Sequence, residues 1–512
     1  MVRLKVFRYN PETDEDSRHE EYEIESEEGM TVLDALREIK SEHDDSLAFR
    51  LACEAGVCGS CAMEINDKPR LACRTQLERD LLSNEGSDIV EINPLPGFDV
   101  IKDLVVDIDP FFNAMKRVKP YFITKEEQET GAERLQSPEN MKEADDPMSC
   151  IMCTACLSAC PVKWSDLRYP GPAILGKVSR FYLDSRDGGE ERIETISEDI
   201  WECTTCNYCN EVCPKDIDIP NSVAKMRSYF IKKNEFPKNL QDALESIFTK
   251  GNPYQESRKA RKDWAEDLGA PCYAGQETLW YVGCTLTFNR RGQKVAESMK
   301  NLLDNTNASY GILKGEEKCC GHPAKKSGEE ALFEELSEEN TQLFERLSPK
   351  KIVTNCSHGY HTLKNEYSLD VEVLHSTEYL NELSISLSQG LDRKVTYHDP
   401  CYLGRYNGIY EEPRELIKSI PKVELVEMER KKDTALCCGG GGNHNWIDEP
   451  EYIEGRERLA QERLEEAVDT GADTLAVACP FCLTMFDDAV KTSGFEGEIE
   501  IKAVAELLAE AI

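Results

Sequence analysis

No stretch of the sequence is apolar over the roughly 20 residues that a helix needs to span a bilayer. The longest apolar-leaning run, TLAVACPFCLTMF at 474–486, is short and is interrupted by proline and cysteine. The opening MVRLKVFRYN also lacks the apolar core of a secretory signal peptide. We therefore expect a cytoplasmic protein without a membrane segment of its own.

Basic residues are few compared with acidic ones. The chain has 61 lysines and arginines and 97 aspartates and glutamates, so its formal net charge is −36. A surface of that charge repels nucleic-acid phosphates and anionic lipid headgroups, which argues against functions on either. The charge is otherwise typical of a strongly solvated surface and identifies no partner.

Nucleotide-binding loops are missing as well. No G-x-G-x-x-G sequence occurs between a predicted strand and a predicted helix, so we expect FAD only in a partner subunit. The four glycines at 439–442 lack the lysine and hydroxyl of a phosphate-binding loop. We interpret this run as a place where the backbone passes close to a bound cluster.

Cysteine, by contrast, is abundant, with 22 in 512 residues. Disulfide scaffolds belong to small secreted domains that cannot build a core, whereas this chain is long enough for several ordinary domains. The cysteines therefore indicate metal binding. Cys272 belongs to none of the groups that the other cysteines form, and we expect it to be an ordinary buried thiol.

The first cysteine group contains the sequence CEAGVCGSC at 53–61. Its members are Cys53, Cys58, Cys61 and Cys73. Their spacing, C-x4-C-x2-C-x11-C, is typical of plant-type [2Fe-2S] ferredoxins. A loop around such a cluster must turn tightly and point backbone N–H groups at sulfur, which Gly56 and Gly59 would allow. Structural zinc is the alternative, but its sites usually use paired C-x2-C knuckles.

Two further groups share the pattern C-x2-C-x2-C-x3-C-P, which is typical of proteins with two [4Fe-4S] clusters. The groups are Cys150, Cys153, Cys156 and Cys160, and Cys203, Cys206, Cys209 and Cys213. In two-cluster ferredoxins the fourth cysteine of each group binds the other cluster. The predicted sets are therefore Cys150, Cys153, Cys156 with Cys213, and Cys203, Cys206, Cys209 with Cys160. Two zinc knuckles would leave the trailing Cys-Pro unexplained.

The remaining cysteines form an internal repeat. One copy contains Cys284, Cys319, Cys320 and Cys356, and the other contains Cys401, Cys437, Cys438, Cys479 and Cys482. β-rich runs such as TLWYVGC, KIVTNC, KVTYHDPC and TLAVAC end in one of these cysteines. They predict strands that deliver cysteines at their carboxyl ends, as open α/β sheets do with ligand groups. We expect two related α/β modules that face each other.

The predicted fold class is multidomain α+β. In the first part, KVFRY and HEEYEIE predict a hairpin around NPETDEDS, and TVLD at 31–34 predicts a capping box that starts a helix. The predicted domains are a β-grasp [2Fe-2S] domain (1–104), an α-helical domain with two [4Fe-4S] clusters (105–250), a linker (251–276), and the first (277–395) and second (396–512) modules.

The amino-terminal half resembles the iron-sulfur subunits of the succinate dehydrogenase and fumarate reductase family. The resemblance lies in MTVLDALREIK, CEAGVCGSCAMEINDKPRLAC, FFNAMKRVKPYF and the two four-cysteine groups. Quinone-linked members commonly lack the second cysteine of the second group and hold a three-iron cluster there, whereas this chain has Cys206. The resemblance therefore implies a four-iron cluster and gives little support for a quinone site.

The carboxyl-terminal half resembles the cysteine-rich CCG modules of heterodisulfide reductases through HDPCYLGR, ALCCGGGGN and ACPFC. In that family five cysteines bind a noncubane [4Fe-4S] cluster at which a disulfide is made or cleaved. Both halves together resemble the iron-sulfur subunits of methanogen thiol:fumarate reductases. That resemblance implies coenzyme M and coenzyme B as thiol substrates and a flavoprotein fumarate reductase subunit as partner.

The two modules differ in their cysteines. The second has all five, so the resemblance implies that it holds the noncubane cluster and carries the catalysis. The first has Gly359 where a fifth cysteine would stand, and zinc or a further cluster is what it could bind. His322, His358 and His361 lie near its cysteines and could be ligands, although single histidines are more often structural.

We therefore expect an oxidoreductase subunit that oxidises two thiols to the heterodisulfide and relays the electrons to the flavoprotein, which reduces fumarate to succinate. Its cofactors would be one [2Fe-2S] cluster, two [4Fe-4S] cubanes and one noncubane [4Fe-4S] cluster. The alternative is an electron carrier for a succinate, lactate or glycolate dehydrogenase, without thiol chemistry of its own. A zinc scaffold for protein interactions is disfavoured by the ferredoxin spacings.

Overall fold

The computed structural model describes residues 1–82, 89–124, 133–166, 168–447 and 458–512. It divides into two compact units, of which the first comprises Met1–Ile200 and Asn207–Met226 and the second Trp201–Cys206 and Arg227–Ile512. Among the helices in these described ranges, none is both long and apolar enough to cross a membrane. The fold is multidomain α+β, as expected, while the domain bounds given above stay a prediction.

A five-stranded sheet forms the amino-terminal part of the first unit. Its strands are β1 (Val2–Arg8), β2 (Arg18–Ile24), β3 (Ala62–Ile65), β4 (Lys68–Leu71) and β5 (Ile89–Asn93). Their order is β2-β1-β5-β3-β4, in which β1 and β5 are parallel and the other neighbours antiparallel. The expected hairpin is confirmed, because β1 pairs with β2 along its whole length. This sheet has the β-grasp arrangement.

Helix α1 (Val32–Glu38) begins at the predicted capping box. The Thr31 hydroxyl accepts the backbone N–H of Asp34 at 3.2 Å, and the Asp34 carboxylate accepts the N–H of Thr31 at 3.0 Å. These bonds satisfy N–H groups that the first turn of a helix leaves without partners. Apolar residues on one face of α1 are buried in the core of the sheet; they are Val32, Leu33, Ala35 and Leu36.

The rest of the first unit is mainly helical. Its further elements are β6 (Val100–Lys102), β7 (Val105–Val106), α2 (Asp109–Arg117), α3 (Pro138–Met148), α4 (Ala155–Ser158), α5 (Pro161–Ser165), α6 (Pro172–Tyr182), α7 (Glu190–Glu194), α8 (Tyr208–Glu211) and the first part of α9 (Ile219–Lys233). Helix α6 is the most apolar of these, and most of its residues are buried. The helical character expected for this part of the chain is confirmed.

The second unit contains two four-stranded parallel sheets. Their strands are β8 (Thr278–Trp280), β9 (Tyr310–Gly311), β10 (Lys351–Thr354) and β11 (Glu372–His375), and β12 (Arg393–His398), β13 (Val423–Val426), β14 (Thr474–Val477) and β15 (Glu500–Ala503). The orders are β11-β10-β8-β9 and β13-β12-β14-β15. Within each sheet, counted along the chain, the first and third strands are central and the second and fourth lie at the edges. This shared topology confirms two related α/β modules.

Helices surround both sheets. They are α10 (Lys238–Lys250), α11 (Arg258–Leu268), α12 (Cys284–Phe288), α13 (Arg290–Asn305), α14 (His322–Ser327), α15 (Glu330–Leu347), α16 (Ser357–His361), α17 (Ser376–Glu382), α18 (Glu411–Ser419), α19 (Leu459–Asp469), α20 (Pro480–Thr492) and α21 (Val504–Glu510). Helix α11 lies inside the segment predicted to be a linker. The central strands β8, β10, β12 and β14 each end two to four residues before a cysteine, as the β-rich runs predict.

Candidate functional site

The predicted [2Fe-2S] ligands lie on one loop and the segment after β4. Two thiols are exposed and two are buried: Cys53 and Cys58, and Cys61 and Cys73. Cys53 Sγ accepts the backbone N–H groups of Ala55, Val57 and Cys58 at 3.4, 3.4 and 3.3 Å. These bonds stabilise the thiolate and lower the pKa of Cys53 to about 6. Iron-sulfur thiolates need such donors, so the loop fits a cluster.

Two glycines shape this loop. Gly56 and Gly59 have φ angles of +66° and +74°, in the left-handed region that other residues rarely adopt. A Cβ at Gly59 would lie 2.8 Å from the Cα of Cys153, in the next cysteine group. The glycine therefore allows the [2Fe-2S] loop to touch the backbone of the first four-cysteine group.

Helix α1 holds the last cysteine of the loop. The backbone N–H groups of Val32 and Leu33, in its first turn, donate to the carbonyls of Thr75 and Ala72 at 2.9 and 3.1 Å. Those two carbonyls flank Cys73 in the sequence. The position of Cys73 thus depends on the start of this helix.

Five cysteines of the two four-cysteine groups line one cavity of about 480 Å³ in the first unit. They are Cys150, Cys153, Cys156, Cys209 and Cys213. Burial raises the pKa of Cys153 to about 11. A cavity with this many thiols fits a [4Fe-4S] cluster, whose protein ligands are thiolates. The set that pairs Cys150, Cys153 and Cys156 with Cys213 stays a prediction.

The second predicted cubane set is distributed over several elements. Cys160 is buried and directly precedes α5, where Pro161 occupies the first helical position that proline favours. Cys209 lies in α8, and Cys203 and Cys206 lie on Trp201–Cys206, which belongs to the second unit. Their common binding of one cluster stays a prediction.

The first module brings four cysteines to a cavity of about 460 Å³; they are Cys284, Cys319, Cys320 and Cys356. Buried Arg261 donates to Cys284 Sγ at 3.2 Å. Cys356 Sγ accepts the N–H of Gly359 at 3.4 Å at the start of α16. A Cβ at Gly359 would lie 3.9 Å from Cys320 Sγ, which is ordinary contact. A fifth side chain would therefore fit, so its absence is not imposed by space.

The three histidines of this module bind other side chains. His322 Nε2 lies 2.9 Å from His358 Nδ1, and His322 Nδ1 lies 3.3 Å from Thr362 Oγ1. His361 Nδ1 accepts from Asn365 at 3.0 Å. Burial lowers the pKa of both His322 and His361, which keeps them neutral. These partners are those of structural histidines, and metal ligation by any of the three stays a prediction.

The second module gathers five buried sulfurs. Neighbouring thiols are hydrogen-bonded in the order Cys401, Cys437, Cys438, Cys482, Cys479. The sulfurs of Cys438 and Cys482 are 3.2 Å apart. A single tetrahedral zinc takes four ligands around one point, whereas this row of five has the extent of a group with several metal ions. The donors fit an iron-sulfur cluster.

The two modules meet at their cysteines. Cys356 of the first is hydrogen-bonded to Cys479 of the second. Although burial opposes ionisation, hydrogen bonds from Cys356, Cys482 and His358 hold the pKa of Cys479 well below its usual range. Hydrogen bonds from Cys437 and Cys482 likewise lower the pKa of Cys438. Thiolate character is therefore concentrated on two sulfurs of the second module.

Sequence reasoning missed one residue of this site. One imidazole nitrogen of His398 lies within 4.8 Å of the sulfurs of Cys438 and Cys482. Burial, assisted by the Arg463 cation, lowers the pKa of His398 to about 3. Arg463 Nε lies 3.4 Å from His398 Nδ1. The available signal was the stretch HDPC, in which His398 ends β12 just before Cys401.

The expectation for Cys272 is wrong, because its side chain is exposed rather than buried. It makes an isolated bridge with Ile312 before the first strand of the first module. Its neighbours in the chain, APCYAGQ, include the proline, glycine and glutamine of a surface turn, which favours exposure.

Family models match all three kinds of cysteine site. Residues 3–113 match a 2Fe-2S iron-sulfur cluster binding domain, 146–217 a 4Fe-4S dicluster domain, and 278–364 and 395–487 a cysteine-rich domain. Together with the β-grasp sheet, the helical region and the paired α/β modules, these matches define an iron-sulfur subunit of an oxidoreductase with a role in electron transfer.

Relatives of the same length place the chain more closely. It is 34% identical to an uncharacterised iron-sulfur protein of Methanococcus maripaludis, over 94% of this chain and 96% of that one. It is 31% identical to the second, or B, component of the fumarate reductase (CoM/CoB) of Methanothermobacter marburgensis, over 99% of each. The chain belongs to the family of iron-sulfur proteins that contains this fumarate reductase component. A crystal structure of a hypothetical protein from Helicobacter pylori shares the fold, with a TM-score of 0.57 and 15% identity over 100% of this chain and 94% of that one.

Proposed function

We propose that this chain is the thiol-oxidising iron-sulfur subunit of a thiol:fumarate reductase. The observation that carries the proposal is the row of five buried sulfurs in the second module, two of which have thiolate character. The fumarate reductase named for coenzymes M and B supplies the substrates: two thiols, coenzyme M and coenzyme B, which become their heterodisulfide. A flavoprotein subunit is the electron acceptor.

Four cysteine sets would hold the cofactors in this proposal. They are Cys53, Cys58, Cys61 and Cys73 for [2Fe-2S]; Cys150, Cys153, Cys156 and Cys213, and Cys203, Cys206, Cys209 and Cys160, for two [4Fe-4S] cubanes; and Cys401, Cys437, Cys438, Cys479 and Cys482 for a noncubane [4Fe-4S]. When bound, such clusters accept and pass on single electrons, and their irons bind substrate sulfur. Cys284, Cys319, Cys320 and Cys356 would hold zinc or a further cluster.

The reaction balances as two half-reactions. Two thiols lose two protons and two electrons and form one S–S bond, and fumarate takes up two electrons and two protons to become succinate. Burial of the second module's five sulfurs excludes bulk water from the place where the S–S bond forms. His398, held neutral beside Cys438 and Cys482, would keep its hydrogen-bonding capacity toward sulfur at physiological pH.

An anaerobic assay of the co-purified complex tests the proposal. We expect fumarate reduction that depends on both thiols, loss of that activity in Cys438→Ala, and its retention in Cys320→Ala, because only the second module has five cysteines. Iron content and circular dichroism show whether each variant remains folded and loaded.

Two other outcomes are informative. Fumarate reduction with an artificial electron donor but none with thiols would make the chain an electron carrier without thiol chemistry. Loss of thiol oxidation in Cys320→Ala, together with its retention in Cys438→Ala, would move the chemistry to the first module.

A further inference from the structure

The segment Trp201–Cys206 is a short piece of the second four-cysteine group that belongs to the compact unit of the two modules. Thr204 and Thr205 are buried, at 3% and 0% exposure, and Cys206 is buried at 8%. Polar residues of this kind are buried only when they are bound by their surroundings. The rest of the second unit must therefore supply partners for the segment.

Arg227 ties the segment to both modules. Its Nη2 donates to the carbonyls of Trp201 and Cys203 at 3.2 and 2.9 Å. Its Nη1 donates to the carbonyls of Gly442 and Lys326 at 3.1 and 3.0 Å. The guanidinium is fully buried and lies 5.0 Å from the centre of the Trp201 ring. A planar fork of N–H donors suits four carbonyls, whereas a lysine ammonium would reach fewer of them.

The second module binds the other end of the segment. Arg405 Nε donates to the Cys206 carbonyl at 2.8 Å. The Tyr406 hydroxyl donates to the Thr205 carbonyl at 2.9 Å, and the Tyr402 hydroxyl lies 2.9 Å from Thr205 Oγ1. Every one of these partners lies directly after Cys401 in the chain, so the segment is fixed beside a predicted ligand.

The four-glycine run accounts for the closeness of this contact. A Cβ at Gly441 would lie 2.1 Å from the Thr204 carbonyl oxygen, and one at Gly442 would lie 2.0 Å from that of Cys203. No side chain fits at such distances. What passes close to the glycines is therefore the backbone of Trp201–Cys206.

The same contact brings two predicted ligands together. The thiols of Cys206 and Cys437 are hydrogen-bonded to each other, and Cys437 Sγ lies 3.7 Å from Thr204 Oγ1. One sulfur belongs to the second four-cysteine group and the other to the five-cysteine row. No intervening residue separates them.

We propose that electrons leave the second module through Trp201–Cys206, and that Arg227, Gly441 and Gly442 are positioning residues for this step. The inference rests on the proposed function, which supplies the donor and the acceptor. For each pair of thiols oxidised, two electrons cross one at a time from the Cys437 side to the Cys206 side and continue to the flavoprotein. The two protons of the thiols go to solvent.

Two matched pairs of glycine variants test the contact. Gly441→Ala and Gly440→Ala both have φ outside the left-handed region, but a Cβ at Gly440 would meet the flexible Met485 side chain instead of backbone. Gly442→Ala and Gly439→Ala both have positive φ, but a Cβ at Gly439 has no atom nearer than 3.6 Å. Backbone strain is thus the same within each pair, and closeness to Trp201–Cys206 differs.

The measurement is electron paramagnetic resonance of the anaerobically purified full-length protein during titration with dithionite, together with iron content. In the wild type we expect a spin–spin interaction between the groups on the two sides of the contact. It should be lost in the variants at Gly441 and Gly442, with iron content kept, and retained in those at Gly440 and Gly439. Equal interaction in all four variants, or its absence from the wild type, overturns the proposal.

Arg227 provides a second test. Arg227→Met should lose the spin–spin interaction, and Arg227→Lys should restore part of it, while the separate signals of both groups remain. Loss of iron from Arg227→Met and from the variants at Gly441 and Gly442 would make these residues necessary for assembly and would also overturn the positioning role. Dithionite replaces the thiols here. Failure of thiol-dependent fumarate reduction with an intact spin–spin interaction would therefore reject the proposed function alone.

Discussion

Glu64 shows how the position of one residue on the sheet changes its chemistry. Its side chain lies on β3 and accepts a hydrogen bond from Asn93 Nδ2 at 3.2 Å. Burial, with repulsion from Asp67 and Glu91, raises the pKa of Glu64 to about 7. Because the unfolded-state pKa is lower, ionisation is disfavoured in the folded state. The stabilisation is full below the unfolded pKa and is lost as pH rises through about 7.

Glu64→Gln should therefore stabilise the protein at pH 8, by about 1 to 3 kcal/mol, and have little effect near pH 4. Anaerobic denaturant unfolding followed by circular dichroism at both pH values measures this difference. Glu23→Gln, at an exposed position on β2, is the control. An equal effect of Glu64→Gln at both pH values would contradict the assigned burial cost.

Individual elements deliver the site residues through their ends. Cys356 and Cys479 are the N-caps of α16 and α20, each directly after a parallel strand. The start of α1 does the same for the [2Fe-2S] loop, since its first turn holds the carbonyls on both sides of Cys73. The sequence predicts these ends well, because caps and strand periods are encoded within a few neighbouring residues.

Thr31→Ala should weaken the start of α1 by about 1 kcal/mol, since the N-cap bond to Asp34 is lost. The loosened segment around Cys73 should then release [2Fe-2S] iron to a chelator faster than the wild type does. Bleaching of the visible absorption of this cluster measures the rate. Thr31→Ser, which keeps the capping hydroxyl, should behave like the wild type. Equal rates in Thr31→Ala and the wild type would show that the cap does not control Cys73.

Across the whole molecule, glycines mark the places where one cysteine group touches the next. In the first unit Gly59 meets Cys153, and in the second unit Gly441 and Gly442 meet Thr204 and Cys203. A side chain at any of these glycines would push the two backbones apart. Close approach matters because electron transfer slows steeply with distance. The molecule thus uses the same device in each unit to shorten a step between cysteine groups.

Cys58→Ser should stop electron flow from thiols to the flavoprotein while thiols still change the spectrum of the second module, because the [2Fe-2S] loop is the proposed last step before the partner. Thiol-dependent fumarate reduction and thiol-induced spectral change, measured on the same complex, separate the two effects. Cys272→Ser is the control, since that exposed thiol lies outside every cysteine set. Normal turnover in Cys58→Ser would falsify the relay order.

By itself the sequence determined the kinds of site and the elements that carry them. Cysteine spacing predicts the cluster types, strand periods predict the two parallel modules, and TVLD predicts the start of α1. All of these patterns are local, so a short stretch of chain contains the information. Only the tertiary structure decided which groups meet: Cys356 with Cys479, His398 with Cys438, and Arg227 with the carbonyl of Gly442. That last pair is 215 residues apart in the chain, and no local pattern encodes such a contact, because it depends on how whole elements pack.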